Sequence, residues 1–131
     1  MTEPTPTQDT IAVWGGEDRY LVDGSTQVPV VHSVAFGYDD LGDWLDVATG
    51  QRPGHIYSRN TNPTVAVFEE KARLLEGGEA ATSAATGKAA ISCALHALLR
   101  PGTRVGSVKD TYGGTSKIFT EFLPSFGVTV D

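Results

Sequence analysis

The stretch from residue 79 to residue 99 constrains the possible folds of this chain most strongly. Residues 79–83 form a short segment of mostly small residues, which we interpret as a buried strand, and Gly87 stands at the turn that comes after them. From Ala90 to Leu99, apolar residues recur at helical spacing, which predicts a helix with one apolar face. A sharp turn from strand to helix leaves unpaired, positively polarised N–H groups at the helix start. Such a corner can bind a phosphate or another anion, although an ordinary turn is the simpler interpretation of these residues alone.

The alternation of strands and helices continues through the second half of the chain. The predicted order is a strand at 80–84, a helix at 88–99, a strand at 103–108, a helix at 114–123 and a strand at 127–131. Strands that alternate with helices predict parallel βαβ units, and therefore an α/β fold. A parallel sheet of about three strands with a bare apolar edge is a poor independent fold. We therefore expect the polypeptide to be part of a larger assembly.

The first half of the chain carries weaker signals as far as residue 61. Residues 1–7 are rich in Pro and Thr and are expected to be a disordered arm. The other predicted elements are a short helix capped by Asp9 or Thr10 and ending at Trp14, a short strand at 33–36, and an acidic helix at 39–47.

A stronger helix signal begins at Asn62. Asn62 is a favourable cap, Pro63 suits the first helical position, and Gly77 stops the pattern. The apolar face predicted for this helix comprises Val65, Phe68, Ala72 and Leu75. Lys71 lies between acidic residues and is predicted to be a solvated surface charge.

Composition and charge exclude several classes of function. The net charge of -6 argues against binding to nucleic acid or to anionic membranes. No apolar run reaches the roughly 18 residues that cross a bilayer, and the start lacks the pattern of a signal peptide. His32, His55 and His96 show no metal-ligand spacing, so no metal site is predicted. The single cysteine, Cys93, is predicted to be a small core residue in a reducing compartment, which indicates a cytoplasmic protein.

Four motifs occur in the order and with the spacing of a known family, namely Tyr57–Thr64, Leu74–Ala81, Thr86–Ile91 and Tyr112–Thr115. Together they resemble the Cys/Met-metabolism pyridoxal-phosphate (PLP) enzymes, such as cystathionine γ-synthase, cystathionine γ-lyase, methionine γ-lyase and O-acetylhomoserine sulfhydrylase. The resemblance covers only the N-terminal part of that family's subunit. It implies an α/β fold of type I, like that of aspartate aminotransferase, with a mainly parallel sheet. Residues 1–62 would form an N-terminal arm and cofactor-contacting segment, and residues 63–131 the first, incomplete part of the PLP-binding domain.

The resemblance also implies roles for five residues. Tyr57 and Arg59 match the pair that binds the cofactor phosphate in the neighbouring subunit's active site. Gly87 and Lys88 match the turn whose backbone N–H groups bind the same phosphate. The family usually has an uncharged residue in place of Lys88, so its ammonium group either strengthens phosphate binding or points away. Tyr112 matches the tyrosine that stacks on the pyridine ring and assists the leaving group at Cγ.

The implied reaction is γ-elimination or γ-replacement on a sulfur-containing or homoserine-type amino acid. It needs a lysine that forms a Schiff base with the cofactor and an acid that protonates the pyridine nitrogen. In the family both lie beyond the N-terminal part that this chain resembles. None of this chain's lysines considered for the role has the family's Ser/Thr-rich setting, namely Lys71, Lys88, Lys109 and Lys117. We therefore expect an inactive isolated chain that works in a homo- or hetero-oligomer with a second polypeptide. The alternatives are a truncated product and a degenerate interaction or regulatory module.

Overall fold

A computed structural model describes residues 5–18 and 20–131. The chain forms two compact units, Met1–Thr82 and Ser83–Asp131. The first four residues of the predicted disordered arm lie outside the described residues. The functional division into residues 1–62 and 63–131 stays a prediction, because a compact unit and a functional segment are different properties.

The first unit contains three helices: α1 (Gln8–Trp14), α2 (Leu41–Ala48) and α3 (Pro63–Glu76). Thr7 caps α1 by accepting a hydrogen bond from the Thr10 amide, so the predicted caps Asp9 and Thr10 are wrong. Asn62 caps α3 as predicted, and Gly77 ends it with a φ of 66°. The predicted strand at 33–36 is reduced to one antiparallel bridge between Ala35 and Tyr57.

Helix α3 packs against α1 through a different face from the predicted one. Val67 is buried, whereas Phe68 is 64% exposed. A Cβ atom placed on Gly15 would lie 3.2 Å from Leu74, and one placed on Gly16 would lie 2.6 Å from Glu70. The helix itself was therefore predicted correctly, but the side of it that packs against α1 was predicted wrongly. That side includes charged residues, whose long aliphatic stems form part of the packing surface.

Lys71 shows what holds this contact together. Its Nζ donates a hydrogen bond to the Val13 carbonyl at 2.8 Å and forms an ion pair with Glu17. The two paired side chains are only 23% and 12% exposed. The prediction of a solvated surface charge is therefore wrong, and Lys71 connects α3 to the C-terminal end of α1.

We expect Lys71→Met to lower the free energy of unfolding by about 1–2 kcal/mol, between the values of a surface pair and a buried pair. Methionine keeps the apolar stem but leaves the Glu17 carboxylate and the Val13 carbonyl without their donor. Urea unfolding followed by circular dichroism measures the change. Lys117→Met is the matched control, since Lys117 is exposed, and an equal effect of both variants would contradict this role.

The second unit begins with α4 (Gly87–Leu98), followed by β1 (Arg104–Val105). Helix α5 (Gly113–Lys117) then continues through a π-helical segment, Ile118–Phe122, into α6 (Leu123–Ser125). In the π-helical segment the Leu123 amide donates to the Ile118 carbonyl, five residues back. Strand β2 (Thr129–Val130) pairs in parallel with β1, with Arg104 opposite Thr129.

The core of the second unit lies between the helices and this small sheet. Its buried side chains are Ile118, Leu123 and Val128, and the partly buried side chains packed against them are Leu95, Leu99, Val105, Phe119 and Val130. The predicted α/β class is confirmed, and the order of elements after residue 86 agrees with the prediction.

Two predictions about this region are wrong. No strand forms at 80–84, since these residues pair with none of the described strands, and a strand is defined by its ladder of hydrogen bonds rather than by propensity. Cys93 is exposed rather than part of the core. It precedes Leu95 by two residues, which places it on the opposite side of α4 from the leucine that packs on the core.

Candidate functional site

Tyr57 and Arg59 lie together on a tight turn of the first unit. The Tyr57 carbonyl accepts hydrogen bonds from the amides of Asn60 and Thr61, at 2.8 and 3.2 Å. The Arg59 guanidinium carbon lies 5.0 Å from the centre of the Tyr57 ring, which is a cation–π contact. Among the described residues, no carboxylate forms an ion pair with Arg59. This exposed guanidinium is therefore available to bind an anionic ligand.

A hydrogen-bond network beneath the turn fixes its position. Ser58 donates a hydrogen bond from its hydroxyl to the Ser33 carbonyl and accepts one from the Asn62 side chain at 3.0 Å. Asn62 also donates to the Val31 carbonyl at 3.0 Å and accepts from the Thr64 amide at 2.9 Å. Asn62 is only 7% exposed. Sequence reasoning identified Asn62 as a helix cap and missed its hydrogen bond to Ser58. The signal for that contact was the position of Ser58 between Tyr57 and Arg59 in the sequence.

His55 contacts the same turn through Thr61. Its ring centre lies 5.9 Å from that of Tyr20 and 5.4 Å from that of Phe36, and its Nδ1 is 3.0 Å from the Thr61 hydroxyl. Tyr38 holds the backbone of His55 by donating to its carbonyl at 3.0 Å. Burial lowers the pKa of His55 below its usual value of 6.5, and the contact with Thr61 offsets part of this effect.

We expect the first unit to lose stability as the pH falls below 6.5, the usual pKa of histidine. At higher pH the imidazole is neutral in both states, whereas at lower pH the unfolded chain takes up the proton first. Urea unfolding between pH about 7.5 and about 5.5 measures the loss, which His55→Gln should reduce. The control is His32→Gln, which replaces an exposed histidine of the same unit; an unchanged pH profile in His55→Gln would contradict the assignment.

The predicted anion corner lies at the start of α4 in the second unit. The Thr86 hydroxyl accepts from the Ala89 amide at 3.1 Å, and its carbonyl accepts from the Ala90 amide at 3.0 Å. Within the described part of the chain, the amides of Gly87 and Lys88 have no backbone acceptor. No atom lies within 4 Å of a Cβ placed on Gly87. The corner thus offers free donors and open space, which fits a phosphate group.

Tyr112 and Lys88 approach each other beside Gly114. Tyr112 is 75% exposed, and its backbone carbonyl accepts a hydrogen bond from the Thr115 amide of α5 at 2.8 Å. A Cβ placed on Gly114 would lie 2.9 Å from Lys88 Cδ and 3.0 Å from Tyr112 Cε1. The structure therefore brings the side chains of Lys88 and Tyr112 together near Gly87, while Tyr57 and Arg59 belong to the other unit.

We expect Gly114→Ala to push the Lys88 and Tyr112 side chains apart, because the added methyl group would overlap both. The lysine stem is flexible, so the cost should stay below about 1 kcal/mol. The ring resonances of Tyr112 in an NMR spectrum measure the displacement. Gly113→Ala is the matched control, since a Cβ there meets no atom within 4 Å; equal shifts in both variants would contradict the close approach.

Membrane-spanning helices and metal clusters are both absent from the described residues. None of the helices in the described part of the chain has the length and apolar content to cross a membrane. Across residues 5–18 and 20–131, no three His, Cys, Asp or Glu residues are arranged to hold a metal ion.

Comparison with known proteins identifies relatives along almost the whole chain. The profile of the family described as "Cys/Met metabolism PLP-dependent enzyme" matches residues 9–131. An O-succinylhomoserine sulfhydrylase of Mycobacterium tuberculosis is 43% identical over 121 residues, which are 92% of this chain and 30% of that protein. An L-methionine gamma-lyase of Porphyromonas gingivalis is 36% identical, with the same coverage of 92% and 30%.

A solved structure has a similar backbone fold. It is described as an O-acetylhomoserine (thiol)-lyase from Campylobacter jejuni with N'-pyridoxyl-lysine-5'-monophosphate. The TM-score is 0.88 at 29% identity, and the match covers 96% of this chain and 31% of that one. The present chain thus spans about 30% of the length of the curated relatives described above.

Proposed function

This chain belongs to the Cys/Met-metabolism family of PLP-dependent enzymes, and on that premise we propose that it is the cofactor-phosphate-binding component of such an enzyme. Its reaction would be γ-elimination or γ-replacement on a sulfur-containing or O-activated homoserine-type amino acid. The named relatives support this range, because they include both a sulfhydrylase and a γ-lyase. We also propose a cytoplasmic location, which rests on the single cysteine of the sequence.

The observation that carries this proposal is the corner at the start of α4. Free amides at Gly87 and Lys88 open onto space that can hold a phosphate, and the exposed Tyr112 ring lies beside Lys88. The amides would bind the phosphate oxygens with the help of the helix dipole. Tyr57 and Arg59 of a neighbouring copy would complete the phosphate site, since a guanidinium can form two parallel hydrogen bonds with a phosphate. A complete phosphate site would therefore require a dimer or a larger oligomer.

When bound, the cofactor supplies an electron sink for the electron pair left at the substrate's Cα. Tyr112 would lie flat against the cofactor ring and fix its plane. Its phenol would donate a proton to, or accept one from, the group that leaves or enters at Cγ. Lys88 would add a positive charge at the phosphate end of the site, far from a position suited to the cofactor's aldehyde.

The lysine that binds the aldehyde and the acid that protonates the pyridine nitrogen would come from a second polypeptide. Lys71 is paired with Glu17, and Lys109 and Lys117 lack the Ser/Thr-rich setting of the family's lysine. The isolated chain would accordingly supply part of the phosphate site without catalysing turnover.

Co-expression with the polypeptide encoded downstream tests the proposal. We expect a stable complex that retains PLP through gel filtration and turns over an O-acylated homoserine or methionine, while neither chain does so alone. The visible absorption of the cofactor reports retention. If a stable complex forms but retains no PLP, the chain is an interaction or regulatory module instead, and if its partner alone is fully active, the proposed division of residues is wrong.

A further inference from the structure

We propose that Asn62 is a positioning residue, which sets the Tyr57–Arg59 turn for phosphate binding by holding Ser58. This inference rests on the proposed function, because it assigns to Arg59 the phosphate that it would bind. Asn62 itself would touch neither cofactor nor substrate.

The two halves of the Asn62 amide have different tasks. The oxygen accepts the Thr64 amide at 2.9 Å and so serves the start of α3. The nitrogen donates to the Val31 carbonyl and to the Ser58 hydroxyl, both at 3.0 Å, and so serves the neighbouring segments. A helix cap needs only an acceptor, which an aspartate or a serine would supply equally well. The donor half is therefore explained by the turn and not by the helix.

The directions of these hydrogen bonds are fixed by chemistry. A carbonyl can only accept, so the Ser58 hydroxyl must give its single proton to the Ser33 carbonyl. Ser58 can then only accept from Asn62, whose nitrogen must face it. The Thr64 amide can only donate, which fixes the oxygen of Asn62 on the opposite side. Each hydrogen bond in this network therefore has one possible direction, so the network specifies one position for Ser58.

Burial makes this arrangement costly to disturb. Asn62 is 7% exposed, and a buried polar group that loses its partner pays the full cost of desolvation. Ser58 stands directly between Tyr57 and Arg59, whose contact at 5.0 Å orients the guanidinium. Loosening Ser58 therefore moves both phosphate-binding candidates at once, even though neither side chain is altered.

Asn62→Asp separates the two tasks, because it keeps the capping oxygen but replaces the donating nitrogen by an oxygen that cannot donate and that repels the Val31 carbonyl. The matched control is Asp40→Asn, the reverse exchange at the cap of α2, where Asp40 accepts from the Gly42 amide at 2.7 Å. Ser58→Ala is a second variant that leaves the cap untouched. PLP is titrated into the assembled enzyme with each variant, and hydrogen exchange is measured at the amides of Ser58 and Asn60.

We expect Asn62→Asp and Ser58→Ala each to raise the dissociation constant of PLP by about tenfold, with faster exchange in the turn. The rate at saturating cofactor should stay unchanged, and Asp40→Asn should have no effect. In an Arg59→Ala background, Asn62→Asp should cause a clearly smaller further loss of affinity, because only its effect on Tyr57 remains. A purely structural role would lower affinity equally in both backgrounds.

The inference is overturned if Asn62→Asp behaves like Asp40→Asn, or if its effect persists in full without Arg59. Failure of the proposed function gives a different result, in which Arg59→Ala itself leaves the affinity for PLP unchanged. Hydrogen exchange then still decides whether Asn62 holds the turn.

Discussion

Arg59→Ala is expected to weaken the retention of PLP by the assembled enzyme about 100-fold, which corresponds to about 2.7 kcal/mol. The guanidinium would make two charge-assisted hydrogen bonds to the phosphate, and alanine replaces neither of them. Arg59→Lys is expected to recover only part of the loss, since an ammonium group lacks the planar pair of donors and the stacking on Tyr57. Equilibrium dialysis against PLP measures the dissociation constants.

Arg52→Ala provides the control for losing an exposed arginine from the same unit. Arg52 pairs with Asp43 at 2.6 Å, and both side chains are 50% exposed. Its removal should therefore leave PLP retention unchanged and change the free energy of unfolding by no more than about 0.5 kcal/mol. Arg59→Ala should likewise leave the unfolding midpoint nearly unchanged. Equal retention in the Arg59 and Arg52 variants would remove Arg59 from the phosphate site.

Leu123→Ala is expected to lower the free energy of unfolding of the second unit by about 2–5 kcal/mol. Leu123 is only 2% exposed and packs with Ile118 and Val128. The loss would be a large part of the roughly 5–15 kcal/mol by which typical domains are stable. It is therefore expected to leave the second unit partly unfolded at room temperature, as urea titration and hydrogen exchange would show.

Leu98→Ala is the matched control, because the same methyl groups are removed from a side chain that is 78% exposed. We expect it to change the free energy of unfolding by less than about 0.5 kcal/mol. Similar losses in both leucine variants would mean that the buried cluster around Leu123 is not the core of the second unit.

Features set by neighbouring residues could be predicted from the sequence. The start of α3 at Pro63 and its end at Gly77 are determined by a cap, a proline and a glycine, whose preferences depend on local backbone geometry. The turn at Gly87 could be predicted for the same reason, since it too depends on neighbouring residues. The motifs also identified the family correctly, because they preserve a fixed order and spacing over the matched residues 9–131.

Features set by distant residues could not be predicted. The role of Lys71 depends on Glu17, which is 54 positions away, and nothing next to Lys71 in sequence indicates that pairing. The same limit applies to Asn62, whose partner Val31 precedes it by 31 residues. Strands need partners in the same way, and residues 80–84 pair with none of the described strands.

The hydrogen bond from Leu123 back to Ile118 has a consequence for comparing homologues of this chain. A turn closed over five residues holds one residue more than a regular α-helical turn, so it accommodates an inserted residue without rotating the rest of the helix out of phase. Ile118 and Leu123 can both reach the core for this reason. Alignments of this helix should accordingly allow a single-residue gap between positions 118 and 123, and a homologue lacking that residue can keep the same interior with ordinary helical geometry.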